Sequence, residues 1–135
     1  MRHILAVTLF AMVLSSGIGH AQCADPNDDI LRDRIWVKFR KANMSTALAL
    51  MPREMKPTPK ADSSGIRNVD QIVRQYGKST ISAPYSVYFY DQERWFQFRF
   101  DQPVDVEGLQ AKLQVLEEVE AADLVYCIAM RPLRF

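Results

Sequence analysis

The chain has 135 residues, with 17 Lys and Arg against 16 Asp and Glu, a net charge of +1 and 48% hydrophobic residues. That length suits one domain with a modest core, and the balanced charge lacks the basic excess of a nucleic-acid binder. No His/Cys cluster has metal-ligand spacing and there is no glycine-rich phosphate loop, so no metal and no cofactor is expected.

The first residues set the compartment. Arg2 and His3 form a short positive region, Ile4–Leu14 is almost wholly apolar, and Gly19-His20-Ala21 supplies small residues at the positions a signal peptidase reads. Residues 1–21 therefore read as a secretory signal. The apolar run falls well short of the roughly 20 residues a spanning helix needs, so no stable membrane anchor is expected after cleavage. Gln22 is bulky and polar, which argues against a lipoprotein site at Cys23. The destination is secreted or periplasmic. Cleavage also removes His3, His20 and Arg2, leaving a mature chain without histidine and with equal numbers of acids and bases.

Residues 22–33 are polar and acidic and read as a lead-in; residues 34–135 form the domain. Arg34–Arg40 is the first strand, with Ile35, Val37 and Phe39 facing one way and Trp36, Lys38 and Arg40 the other. Ser45–Leu50 reads as a short helical turn before Pro52, and Lys56–Gly65 as an exposed loop. Asn68 is placed to cap a helix through Tyr76, with Val69, Ile72, Val73 and Tyr76 as its apolar stripe and Gly77 as its stop. Asp70 and Arg74 read as a helical ion pair four residues apart. Tyr85–Tyr90 reads as a strand, Asp91-Gln92-Glu93 as a turn, and Arg94–Phe100 as the hairpin partner, with Phe96, Phe98 and Phe100 alternating. Asp105 stands at a helix N-cap ahead of Val106, Leu109, Leu113 and Leu116 on one face. Glu117, Glu118 and Glu120 read as a solvated helix end. Leu124–Met130 fits a buried last strand.

The order β, α, β, β, α, β predicts an α+β, ferredoxin-like sandwich: a four-stranded antiparallel sheet with two helices on one face. The first and third strands are then central. The other face would carry Trp36, Tyr88 and Trp95, either as an exposed aromatic contact surface for a protein or envelope partner or covered by the 41–66 segment. Cys23 and Cys127 form an even pair in an oxidising compartment, which favours a disulfide over two free thiols. With no histidine to act as a general base and no recognisable catalytic cluster, the expectation is that the domain is not an enzyme.

Arg34-Ile-Trp-Val-Lys-Phe-Arg40 resembles the first strand of subtilase propeptides. Asp105-Val-Glu-Gly-Leu-Gln-Ala-Lys-Leu113 and Val119-Glu-Ala-Ala-Asp123, with the strand after it, resemble the close of the same domains. The middle from Lys41 to Pro84 matches poorly, and Ala122-Asp123 stands where the family commonly has Glu-Pro. The resemblance covers about a third of the chain and implies an inhibitor or intramolecular chaperone of a subtilisin-like serine protease. It implies that the tail Arg131, Pro132, Leu133, Arg134 and Phe135 enters the protease cleft like a product. Phe135 would fill the first pocket, and Pro132 would stiffen the tail. It further implies that Asp91 and Glu93 cap helix N-termini on the protease.

Overall fold

The computed structural model describes residues 27–86 and 89–127. Within them the chain runs β1 (Ile30–Phe39), α1 (Thr46–Ala49), α2 (Arg67–Tyr76), β2 (Ser79–Ser82), β3 (Trp95–Phe100), α3 (Val106–Gln114) and β4 (Val119–Tyr126). The four strands form one antiparallel sheet in the order β2-β3-β1-β4. The fold is α+β and ferredoxin-like, with β1 and β3 central and helices packed on one face.

Alternation along the two central strands builds the core. Ile35, Val37 and Phe39 of β1 and Phe96, Phe98 and Phe100 of β3 are all buried. The register sets Ile35 opposite Phe98 and Val37 opposite Phe96, so both strands turn their apolar sides the same way. Val69 and Val73 of α2 and Leu109 and Leu113 of α3 close the same cluster. Leu116, placed by periodicity on the α3 stripe, lies just past the helix end and still packs against the core.

The helix ends have identifiable causes. Asp105 caps α3 by accepting from the Gly108 N–H at 3.1 Å. A side chain at Gly108 would collide with that carboxylate, so the cap needs glycine there. Gly77 ends α2 at φ +145°, a left-handed conformation that glycine alone adopts cheaply. At the start of α2 the expectation fails. The helix begins at Arg67, Asn68 lies inside it, and the Asn68 amide donates to Glu118 at 2.7 Å. Asp70 makes no ion pair with Arg74. It is buried and accepts from Ser63 Oγ (2.6 Å), Ser64 N (2.9 Å) and Ser64 Oγ (2.7 Å). This carboxylate fastens the preceding loop to the helix. Asp70→Ala would leave the buried Ser64 N–H without its acceptor and release both serine hydroxyls, and is expected to lower the unfolding free energy by about 2–3 kcal/mol in urea denaturation.

Three strand positions differ from the sequence reading. β1 starts at Ile30, inside the stretch read as lead-in, and Leu31 is buried. The second strand of the sheet is Ser79–Ser82; of the expected strand Tyr85–Tyr90, residues 85, 86, 89 and 90 are not in a strand and 87–88 lie outside the described residues. β2 is an edge strand with one apolar core residue, Ile81, so its signal is faint beside the aromatic run that follows. In place of the expected tight hairpin, twelve residues separate β2 from β3, and the single turn Gln92–Arg94 leads into β3. The last strand begins five residues early, at Val119, because Val119 and Ala122 are its core-facing residues. Their three-residue spacing comes from a register shift between the Lys38–Ala121 and Phe39–Val119 pairs.

The 41–66 segment is built into the domain. Ser45 caps α1 by accepting from Leu48 N at 3.2 Å, and Leu48 is buried in the core. The Lys60 N–H donates to Ile81 O at 2.8 Å and the Glu54 N–H to Ala83 O at 3.0 Å. The stretch read as an exposed loop thereby covers the outer edge of β2. On the opposite edge, the side-chain amides of Gln110 and Gln114 both donate to Ala122 O. Among the described residues no helix is long and apolar enough to cross a membrane.

Candidate functional site

The sheet face away from the helices carries Arg34, Trp36 and Lys38 from β1 and Trp95, Gln97 and Arg99 from β3. No helix covers it among the described residues. Its aromatic part is nevertheless closed. Phe89 stacks on Trp95 with centroids 4.1 Å apart at 17°, and meets Trp36 edge-on at 5.2 Å and 68°. Trp95 is buried and Trp36 half-buried. The expectation of an exposed tryptophan surface is therefore corrected for Trp95: Phe89 stacks on its ring, and Arg53 of the 41–66 segment reaches its backbone carbonyl. Tyr88, the third residue of that expected face, lies outside the described residues.

Charge dominates the end of the sheet where β3 and β4 begin. Lys38 reaches Asp91 at 3.3 Å and Glu120 at 2.5 Å. Arg94 reaches Asp91 at 2.9 Å and Glu120 at 2.9 Å. The four side chains form a closed ring of alternating sign that joins β1, β4 and the approach to β3. Arg94 also donates to Phe39 O at 3.3 Å, which holds the ring against the backbone. Asp91, expected to be a free contact, is thus an internal ion partner. Glu120, expected in a solvated helix end, stands on β4 and completes the ring.

The ring shifts its members as mutual pairing requires. Hydrogen bonds from Lys38 and then Arg94 bring the Glu120 carboxyl down to about 2 and hold Asp91 below its ordinary value. Glu120 and then Asp91 raise Lys38. For the two acids, whose values fall on folding, the contribution to stability is present above their unfolded range near 4 and vanishes as pH drops through the folded values. The urea midpoint is therefore expected to fall between about pH 4.5 and pH 2. Glu120→Gln is expected to flatten that fall, and added salt to shrink it, because the ring is partly open to solvent.

Beside the ring lies a cavity of about 590 Å³. The segment after β1 contributes Arg40, Lys41, Met44 and Ala49. The β2–β3 connection adds Asp91, Glu93 and Arg94, and β4 adds Glu120. Glu93 is exposed and makes no hydrogen bond or ion pair among the described residues. Arg40 donates Nε to Glu117 O at 2.8 Å, and among the described residues neither it nor the exposed Lys41 pairs with a carboxylate. The structure therefore brings the two expected turn carboxylates to one place and separates their roles. Sequence reasoning missed the ring because its partners come from three distant segments. Only the outward alternation of Lys38 hinted at it.

No local sequence pattern marks Arg53. Its guanidinium lies 4.6 Å from the centre of the Phe96 ring, and Nη1 donates to Trp95 O. Burial pushes it below the ordinary arginine value.

The tail Arg131–Phe135 and Cys23 lie outside the described residues. Cys127 is disulfide-bonded, and its N–H donates to Asp29 O at 2.8 Å. Among the described residues no group of three His, Cys, Asp or Glu is placed to hold a metal. No family model, curated protein or solved structure matches this chain.

Proposed function

We propose that this is a secreted or periplasmic domain that binds a subtilisin-like serine protease as an inhibitor or folding chaperone, without catalysis of its own. It would dock through its sheet surface and its C-terminal tail. The observation that carries the reading is the layout of one helix-free sheet face, which Phe89 covers over Trp95 and which stays exposed at Arg99, Asp123 and Tyr126. Glu93 stands at the end where β3 and β4 begin. Tyr126 closes β4 at the other end, opposite Ile30. The eight residues of β4 separate the two ends by about 25 Å. A protease bound along this strip would meet the exposed Glu93 carboxylate at one end and the chain leading to Phe135 at the other.

Glu93 is the contact carboxylate in this reading, since Asp91 is neutralised within the ring. Cys23 is the proposed partner of Cys127. The Asp29–Cys127 backbone bond already holds the N-terminal chain against the end of β4, where such a bridge would steady the base of the tail.

Inhibition constants of the intact protein and of Glu93→Gln against a panel of subtilisin-like proteases test the reading. Sub-micromolar inhibition of at least one member, weakened about tenfold by the substitution, is expected for loss of a charged contact at a helix N-terminus. Equal potency of the two proteins would remove Glu93 from the interface.

A further inference from the structure

The cavity beside the ion ring has a charge pattern that specifies a ligand. Its lining holds three cations, Arg40, Lys41 and Arg94, and three anions, Asp91, Glu93 and Glu120. Asp91, Arg94 and Glu120 are satisfied by one another and by Lys38. Arg40 and Lys41 remain on the segment after β1, and Glu93 on the β2–β3 connection, without an ion pair among the described residues; Arg53 attracts Glu93 only from beyond ion-pair distance. Met44 and Ala49 add apolar surface to the same space.

With the ring charges paired, a polyanion such as a nucleotide would still face Glu93, and a polycation would face Arg40 and Lys41. A small molecule carrying one charge of each sign meets neither penalty. The volume lies within the range of pockets that enclose small ligands. We propose that this cavity binds a short peptide as its zwitterion, with the carboxylate on Arg40 and Lys41, the ammonium on Glu93 and an apolar side chain against Met44 and Ala49. The ion ring fixes the wall between them: it ties β4 and the β2–β3 connection to β1, so the binding groups do not need to be ordered by the ligand. This site does not depend on the protease reading, although Glu93 serves both.

The probe is the dipeptide Ala-Leu, titrated into the protein and followed by backbone amide shifts. Saturable shifts confined to residues 40–49, 91–94 and 120 are expected. Amidating the dipeptide carboxylate, or replacing Arg40 and Lys41 by Gln, is expected to weaken binding about tenfold or more, as loss of a charge-assisted contact does. Acetylating the amine should weaken it comparably in the native protein and have little further effect in Glu93→Gln. All substituted side chains are at the surface, and the same spectra report whether the fold survives. Absence of saturation at tens of millimolar, shifts elsewhere, or equal binding of the amidated dipeptide would overturn the proposal. None of these outcomes bears on protease inhibition, which is measured separately.

Discussion

Phe98→Ala is expected to lower the unfolding free energy by about 3–5 kcal/mol, a large share of the stability of a domain this size. Phe98 sits at the middle of β3, is 1% exposed, and pairs with Ile35 on one side and Ile81 on the other. Its ring packs 6.3 Å from that of Phe39. Truncation would therefore open a void shared by three strands, and neighbouring β-branched side chains have few rotamers with which to fill it. Val115→Ala is the contrasting substitution. Val115 is 82% exposed and sits at the end of α3, so a change within about 0.5 kcal/mol is expected. Urea denaturation of both variants measures the difference. A loss below about 1 kcal/mol for Phe98→Ala would mean that this ring is not a core residue.

Deletion of Leu133–Phe135 is expected to reduce protease inhibition by about a hundredfold or more while leaving the urea midpoint unchanged. The magnitude is that of removing a pocket-filling anchor residue from an interface. The stability expectation follows from the fold: the core-facing residues of β4 among those described are Val119 and Ala122, well before the deleted segment. Measurement of the inhibition constant and the midpoint on the same preparation separates loss of contact from loss of fold. Retained potency in the truncated protein would sink the tail mechanism and leave the sheet face as the only contact surface.

Much of the fold was legible because its strongest determinants are local and periodic. The alternation over Ile35–Phe39 and Phe96–Phe100, the cap at Asp105 and the stop at Gly77 each have a mechanism that acts within a few residues. β2 was not legible. With Ile81 between Thr80 and Ser82 it has too few apolar residues to outweigh the run Tyr85–Tyr90, whose Phe89 instead covers the outer sheet face. The start of β4 is not legible because a register shift breaks its two-residue period near Glu120. Asp70 looked like a surface helix residue; its burial depends on Ser63 and Ser64, which only the folded loop brings to it.

The candidate site was legible in part. Asp91 and Glu93 were recognised as a charged turn, but their different roles depend on which cations reach them. Lys38 lies 53 residues from Asp91 in sequence, and Arg94 lies 26 from Glu120. Such pairings follow from sheet order and strand register, so no local pattern reveals them. The same holds for the joint placement of Arg40, Lys41 and Glu93 around one cavity.

The most direct test of the proposed function is the residual activity of each member of a subtilisin-like protease panel, at known active-site concentration, against rising amounts of the intact protein. A sharp loss of activity near one equivalent, for at least one protease, is the expected result. Full activity at every ratio, or steady digestion of the folded domain, would contradict it.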